Sequence, residues 1–173
     1  MTRPIDVRLL RADDDRSTFH SGNTELDRFF HRFAGQNQFR HHIGATYVAV
    51  DHKGILGFAT VAAAQIEIED LPKSRQKKLP HYPLLALRLA RLAVDRFAQG
   101  RGVGKLLLHI VFQLAQDMAD TVGCIGVVVD AKSDAVSFYG RYGFESLEVI
   151  EGGLNSRPEP LLMFLPLGSI PKT

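Results

Sequence analysis

The sequence predicts an α/β fold, with a mixed central β-sheet flanked by α-helices, in a single domain spanning residues 1–173. Strand and helix patterns alternate between residues 84 and 142, which is typical of a sheet with a parallel segment. The 173 residues, 45% of them hydrophobic, are enough for one full core, and they contain neither an internal repeat nor a low-complexity linker.

The first half of the chain contains three strand patterns and one helix pattern. The strands are predicted at residues 5–10, 45–51 and 54–68. The last two form a hairpin whose turn ends at Gly54. The helix follows the capping residues Ser21–Asn23, and its apolar face is formed by Leu26, Phe29, Phe30 and Phe33. Prolines make residues 70–84 a predicted loop, with one helical turn over residues 73–79.

The second half contains the alternating strands and helices. Residues 84–94 are ambiguous, because their Leu and Ala content favours a helix whereas the neighbouring elements favour a buried strand. Helices are predicted at residues 102–120 and 133–142, and Gly143 is the expected C-cap of the second. Further strands are predicted at residues 126–129, 144–150 and 160–166.

The composition excludes several classes of protein. Lys and Arg total 21 against 19 Asp and Glu, which excludes a histone-like protein that binds nucleic acid through its net charge. A local basic patch is still compatible with this composition. The single cysteine, Cys124, forms no intrachain disulfide and is expected in the core. The seven histidines lack metal-ligand spacing, so no metal is predicted. Without a signal peptide or an apolar run of ~20 residues, a cytoplasmic protein with no membrane contact is expected.

Three glycines in the sequence Gln99–Gly104 precede the helix predicted at residues 102–120. In such a turn, backbone N–H groups converge on a phosphate and the helix dipole adds partial positive charge. A P-loop is excluded, because Gln99 replaces its first glycine and Leu106 replaces its Ser or Thr. The G-x-G-x-G spacing also excludes the dinucleotide fingerprint. A glycine-rich helix cap without a ligand remains the alternative.

The spacing Gln-x-x-Gly-x-Gly resembles the acetyl-CoA pyrophosphate loop of GCN5-related N-acetyltransferases (GNAT). The helix ending at Phe138–Phe144 is similar to their second cofactor motif, although Lys132–Asp134 supplies no family asparagine. The resemblance implies a GNAT fold, with residues 84–94 as the strand that carries the acyl group. The implied cofactor-binding residues are Leu92, Ala93, Val94, Gln99, Gly100, Arg101, Gly102, Val103, Gly104, Lys105 and Phe138.

The implied reaction assigns chemistry to two parts of these motifs. Backbone N–H groups of Leu92–Val94 would polarise the thioester carbonyl, and Tyr139 would protonate the departing thiolate. No side chain is recognisable as a base. That suits an α-amino substrate, with a pKa of about 7.7–8.0, better than a lysine amine with a pKa of about 10.4.

Other segments resemble the GNAT-type toxins of bacterial toxin–antitoxin pairs. They are the Ser-Gly-Asn-x-x-Leu-Asp motif of Ser21–Asp27 and residues 79–83, 88–95, 128–132 and 164–167. Leu85 departs from the pattern, because the toxins often have a second proline there. The resemblance implies acetylation of the α-amino group of aminoacyl-tRNA, a ribbon-helix-helix antitoxin as partner, and a homodimer as a frequent state.

Two parts of the chain are basic and contain no acidic residue, namely residues 28–42 and residues 71–91, which we call the basic segment. A basic face is expected where a protein binds a phosphate backbone, whereas a solvated loop is the alternative. The candidate tRNA contacts are Lys73, Arg75, Lys77, Lys78, Arg88 and Arg91. The rival functions are a metabolic GNAT that acetylates a small-molecule or protein amine, which the basic segment disfavours, and a non-catalytic acyl-CoA-binding regulator, which Tyr139 disfavours.

Overall fold

The structure, a computed structural model, describes residues 4–147 and 161–171. Its strands are β1 (Asp6–Leu9), β2 (Ala45–Asp51), β3 (Gly54–Ile66), β4 (Leu84–Val94), β5 (Gly126–Ala131), β6 (Glu145–Ser146) and β7 (Leu161–Pro166). They form one seven-stranded sheet in the order β1-β2-β3-β4-β5-β7-β6. Because helices alternate with these strands, the predicted α/β class is confirmed.

The helices differ widely in length. The α-helices are α1 (Thr24–Arg32), α2 (Ala34–Gln36), α3 (Lys73–Gln76), α4 (Val103–Thr121) and α5 (Val136–Gly140). A π-helical turn covers Asn37–His41, and 3₁₀ turns cover Ile68–Asp70, Arg96–Ala98 and Leu167–Ser169. Within residues 4–147 and 161–171, no helix combines the length and apolarity that a membrane span requires.

The ambiguous segment 84–94 is strand β4, as the family resemblance implied. Other predicted bounds were wrong by a few residues. The strand predicted over 54–68 ends at Ile66, and the strand predicted over 126–129 continues to Ala131. Residues 148–150 and 160 of the two last predicted strands lie outside the described residues.

The helix predicted over residues 133–142 is only the five-residue helix α5. Residues 133–135 form a turn instead, in which Ala135 N donates to the Lys132 carbonyl. At its end, Gly143 has a φ of +97°, and the N–H groups of Gly143 and Phe144 donate to the Gly140 and Tyr139 carbonyls. This is a Schellman motif, so the capping role predicted for Gly143 is confirmed.

One compact unit contains the described residues up to Ala62 together with Leu89–Gln113. Its core is aromatic: the Phe30 and Phe58 rings stack at 4.3 Å between centroids, and Phe19 contacts both rings edge-on. Asn23 caps α1 by accepting a hydrogen bond from Leu26 N at 3.0 Å, as predicted. Phe33, which was predicted on the apolar face of this helix, is instead its C-cap residue and is 37% exposed.

The second compact unit contains Ala63–Arg88 and the described residues from Leu114 onward. Strands β5 and β7 pair antiparallel, with Val128 opposite Phe164. Both side chains are buried in a cluster with Ile66 and Ala86. Burying these apolar side chains on one face of the strands stabilises the unit.

Candidate cofactor site and basic surface

The segment Asp95–Lys105, which we call the cofactor turn, joins β4 to α4 and includes the first residues of α4. Its backbone geometry favours glycine at two positions. Gly100 and Gly102 have φ values of +85° and +79°, and an added Cβ at either position would meet nothing within 4 Å. Leu106 N donates to the Gly102 carbonyl at 3.1 Å, where α4 begins. Open backbone beside the N-terminus of a 19-residue helix is suited to a phosphate or pyrophosphate ligand.

Several side chains predicted to bind the cofactor instead hold the backbone around the turn. The Gln99 amide group donates to the Val94 carbonyl at 3.1 Å and to the Ser21 carbonyl at 3.2 Å. Val103 is 1% exposed and Ala93 is 6% exposed, so both side chains pack in the core. At these three positions, any contact with a ligand would therefore come chiefly from the backbone.

Two exposed cations accompany the glycines of the cofactor turn. Lys105 lies in the first turn of α4 and is exposed. Arg101 is also exposed, and its Nη2 atom lies 3.7 Å from the Asp51 carboxylate. Both cations add positive charge to that of the helix N-terminus.

Gly57 of β3 supports the cofactor turn from the core, and the sequence analysis missed it. A Cβ at Gly57 would lie 2.9 Å from both the Ala93 carbonyl and Val103 Cγ1, and 3.1 Å from Leu107. A larger side chain would therefore displace the end of β4 or the start of α4. A single glycine inside a strand pattern is the available sequence signal for such a close approach.

The segment His20–Ser21 is hydrogen-bonded to the cofactor turn on one side and to α1 on the other. His20 N donates to the Asp95 carboxylate at 3.1 Å, and Arg96 N donates to the His20 carbonyl at 2.9 Å. Asp27 of α1, which is 7% exposed, accepts from Ser21 Oγ at 2.6 Å and from Ser21 N at 3.0 Å. Ser21 of the Ser-Gly-Asn-x-x-Leu-Asp motif thus contacts the cofactor turn directly through Gln99, and Asp27 acts through Ser21, a role that the motif's sequence did not reveal.

Tyr139, the predicted acid, lies in α5 and is 5% exposed. Its ring makes edge contacts with Phe138 and Phe144, with centroid distances of 5.2 and 5.3 Å. Burial raises the pKa of the Tyr139 hydroxyl above its ordinary value of 10.0. The hydroxyl therefore stays protonated throughout the physiological pH range.

The basic segment contains three lysines on its exposed surface: Lys73, Lys77 and Lys78. Within residues 4–147 and 161–171, none of the three forms an ion pair. Their ammonium groups are consequently available to phosphate groups.

The three arginines of the basic segment already have partners. Arg75 binds both carboxylate oxygens of Glu145, at 2.9 and 3.3 Å, and Arg88 binds Asp130 at 2.5 Å. The Arg91 guanidinium lies 3.8 Å from the centroid of the Phe29 ring, and burial lowers its pKa. The segment contains no acid in sequence, but the fold brings acidic side chains to two of its cations.

Cys124 does not have the environment of a nucleophile. Its thiol donates to the Gly126 carbonyl at 3.2 Å, and burial raises its pKa, which disfavours the reactive thiolate. In the part of the chain that the structure describes, no group of three or more His, Cys, Asp or Glu residues is arranged to hold a metal ion.

Comparison with known proteins identifies the family. The acetyltransferase (GNAT) domain model matches residues 42–146, and the chain belongs to the GNAT acetyltransferase family. The tRNA-acetylating toxin of Mycobacterium tuberculosis is 33% identical over 141 residues, which are 80% of this chain and 82% of that protein.

Solved structures extend the likeness to nearly the whole chain. AtaT complexed with acetyl-methionyl-tRNAfMet matches with a TM-score of 0.82 and 28% identity, over 96% of each chain. AtaTR bound with AcCoA matches with a TM-score of 0.76 and 27% identity, over 95% of each chain. The predicted GNAT fold, with its mixed central sheet and flanking helices, is confirmed.

Proposed function

We propose that this protein uses acetyl-CoA to acetylate the α-amino group of aminoacyl-tRNA, and so acts as the toxin of a toxin–antitoxin pair. The proposal rests on the 33% identity to the tRNA-acetylating toxin over 80% of this chain. The likeness to AtaT complexed with acetyl-methionyl-tRNAfMet supports the same substrate class. Acetylation removes the nucleophilic amine that peptide-bond formation requires, which accounts for a block of translation.

We assign the pyrophosphate of acetyl-CoA to the cofactor turn. The residues present fit this ligand, because Gly100 and Gly102 leave their backbone open to an approaching anion. The likeness to AtaTR bound with AcCoA supports the assignment. Acetyl-CoA supplies an activated acetyl group and a thiol leaving group. The proposed cofactor-binding residues are Gln99, Gly100, Arg101, Gly102, Val103, Gly104 and Lys105, with Leu92, Ala93 and Val94 beside the acetyl group and Phe138 in α5.

Tyr139 is the proposed general acid. The amine nitrogen attacks the acetyl carbonyl carbon, the carbon–sulfur bond breaks, and the thiolate takes the phenolic proton. The nitrogen releases one proton to solvent as the amide forms, and the phenolate regains a proton from solvent, so the tyrosine is regenerated. A thiol has a pKa of about 8.5, so a tyrosine whose pKa is raised by burial is still protonated when the thiolate forms. The α-amino group needs no strong base, because a usable fraction of it is neutral near its pKa of about 7.7–8.0.

For tRNA, we assign phosphate contacts first to Lys73, Lys77 and Lys78, whose ammonium groups are exposed and outside any ion pair with a described residue. The arginines of the basic segment, namely Arg75, Arg88 and Arg91, rank below them because each already has a partner. Lysine contacts of this kind bind the sugar–phosphate backbone without reading base sequence.

The biological setting follows from the same proposal. We propose a ribbon-helix-helix antitoxin as the neutralising partner, a homodimer as the assembled state, and a single catalytic domain over residues 1–173. The cytoplasm is the proposed compartment, because translation consumes aminoacyl-tRNA there.

The function is tested by incubating the purified protein with labelled acetyl-CoA and a panel of amines. The panel contains aminoacyl-tRNA, uncharged tRNA, free amino acids, polyamines and peptides. We expect label on aminoacyl-tRNA and none on uncharged tRNA. Label on peptides or polyamines, with none on aminoacyl-tRNA, would overturn the proposal in favour of a metabolic GNAT.

A further inference from the structure

We propose that Ser21, Asp27 and Gln99 are positioning residues that hold the cofactor turn in its binding geometry by tying it to α1. We call this hydrogen-bonded set the α1 tether; it also includes His20 and Asp95. The inference rests on the proposed function, because it assigns a role in acetyl-CoA binding to the Gln99 side chain and to two residues, Ser21 and Asp27, that are distant from the glycines in sequence.

The tether begins at Asp27, a nearly buried residue of α1. The Asp27 carboxylate accepts from Ser21 Oγ at 2.6 Å and from Ser21 N at 3.0 Å, and it lies 3.0 Å from His20 Nδ1. Ser21 Oγ in turn accepts a hydrogen bond from Asn23 N, beside the N-cap of α1. A nearly buried carboxylate with several donors holds the His20–Ser21 segment firmly, because leaving such a group unpaired is costly.

The tether reaches the cofactor turn through three connections. His20 N donates to Asp95 Oδ2 at 3.1 Å, and Arg96 N donates to the His20 carbonyl at 2.9 Å. The Gln99 amide donates to the Ser21 carbonyl at 3.2 Å and to the Val94 carbonyl at 3.1 Å. Gln99 therefore fixes the point where the chain enters the glycines, one residue before Gly100.

A glycine-rich turn needs such support. Gly100 and Gly102 allow the required φ values, but glycine also has the greatest backbone freedom of any residue. A ligand that binds one conformation has an apparent affinity reduced by the fraction of molecules in that conformation. Restricting the turn to its binding geometry raises that fraction, which makes the tether a determinant of acetyl-CoA affinity.

The test measures acetyl-CoA binding by calorimetry, and KM and kcat for acetyl transfer, in Gln99→Ala and Ser21→Ala variants. The Gln99→Ala variant removes an exposed side chain, so it is expected to fold normally. We expect the Kd and KM for acetyl-CoA to rise by roughly 3- to 10-fold in each variant, with kcat at saturating acetyl-CoA unchanged. The conservative Ser21→Thr variant should restore most of the affinity, since it retains the hydroxyl.

The chain offers a matched control in Ser17→Ala. Ser17 Oγ donates to Asp15 Oδ1 at 2.6 Å, the same distance as that from Ser21 Oγ to Asp27 Oδ1, but that pair is not part of the tether. The Kd of the Ser17→Ala variant for acetyl-CoA should equal that of the wild type. The Gln99→Ala and Ser21→Ala double variant should lose less affinity than the two single losses combined, because both act on one connection.

The outcomes separate this inference from the proposed function. If folded Gln99→Ala and Ser21→Ala proteins bind acetyl-CoA as tightly as the wild type, the tether has no positioning role and the inference is overturned. A fall in kcat at unchanged KM would also overturn it, because the residues would then act on the chemical step. A wild-type protein that does not bind acetyl-CoA would instead refute the proposed function.

Discussion

The cofactor turn and the basic segment hold their binding groups in different ways. In the turn, the groups assigned to the ligand belong to the backbone, which is set by the φ values of Gly100 and Gly102 and by hydrogen bonds to His20 and Ser21. In the basic segment, they are side-chain cations, and the three arginines already have partners. A backbone site should therefore fail abruptly on one substitution, whereas a surface of independent charges should lose affinity gradually.

The largest expected effect is on the chemical step, and it should leave binding at both the cofactor turn and the basic segment unchanged. In Tyr139→Phe, acetyl transfer at saturating substrates should fall by roughly 10²–10⁴-fold, because the general acid is lost. Acetyl-CoA affinity, tRNA affinity and Tm should stay near wild type, since only a hydroxyl is removed. Quenched time-course assays measure the rate of acetyl transfer, and calorimetry measures the two affinities. Tyr142→Phe, three positions further along the chain, is the control.

The pH dependence of the rate gives a second readout on Tyr139. Transfer should increase with pH through the α-amino pKa of about 7.7–8.0 as the amine becomes neutral. A tyrosine acid stops working when it deprotonates, and burial raises the pKa of Tyr139 above 10.0, so no decline is expected below about pH 10. A decline beginning between pH 8 and pH 9 would assign the proton to another group.

The next effect tests whether the backbone site fails abruptly. Gly102→Val places a β-branched residue at a φ of +79°, which costs about 1–3 kcal/mol of strain or moves the turn. Acetyl-CoA affinity should fall by about 100-fold, as measured by calorimetry. Gly123→Val is the matched control, because Gly123 follows the other end of α4 with a φ of +108° and equally open space. If both variants bind acetyl-CoA equally well, the turn does not hold the pyrophosphate.

The gradual loss expected of the basic segment is tested with Lys73, Lys77 and Lys78. Replacing all three by alanine should reduce the slope of log K against log salt for tRNA binding by about 2–3 units, with acetyl-CoA affinity unchanged. A double Arg75→Gln and Arg88→Gln variant should change that slope by less than about one unit, since both arginines are paired. Equal slope changes for the two variants would contradict the claim that the lysines contribute more to tRNA binding than the paired arginines.

The smallest effect uses the acid that neutralises Arg88. Asp130→Asn leaves the Arg88 guanidinium unpaired near the surface, so tRNA affinity at low salt should rise by about two- to threefold. Stability should change by no more than about 1 kcal/mol, because an exposed ion pair contributes little. Filter binding and thermal unfolding measure the two quantities. Unchanged tRNA affinity would place Arg88 away from the bound nucleic acid.

Local sequence patterns predicted much of the fold and the glycines of the cofactor turn, but not the partners of the arginines in the basic segment. The cap at Asn23 and the glycine turn depend on neighbouring residues, so short stretches of sequence predicted their geometry. Residues 84–94, in contrast, were ambiguous by local pattern, and the family resemblance was needed to predict strand β4. The partners of the arginines could not be predicted in this way, because Arg75 and Glu145 are 70 positions apart and Arg88 and Asp130 are 42 apart.

The contacts that support the turn were hidden for the same reason. His20 and Asp95 are 75 positions apart, so no short sequence pattern predicts their hydrogen bond. The packing of Gly57 against the Ala93 carbonyl likewise depends on how β3 meets the end of β4. A motif can therefore be recognised from sequence, whereas its physical role is identified only from the tertiary structure.

The central claim, acetylation of the α-amino group of aminoacyl-tRNA, is tested most directly by identifying the acetylated atom. After reaction with acetyl-CoA, the amino acid is hydrolysed from the tRNA and analysed by mass spectrometry, beside a tRNA charged with the corresponding α-hydroxy acid. We expect an N-acetyl amino acid from the first tRNA and no acetyl group on the second, which lacks the amine. Acetyl groups on both, or only on the nucleotides of the tRNA, would contradict it.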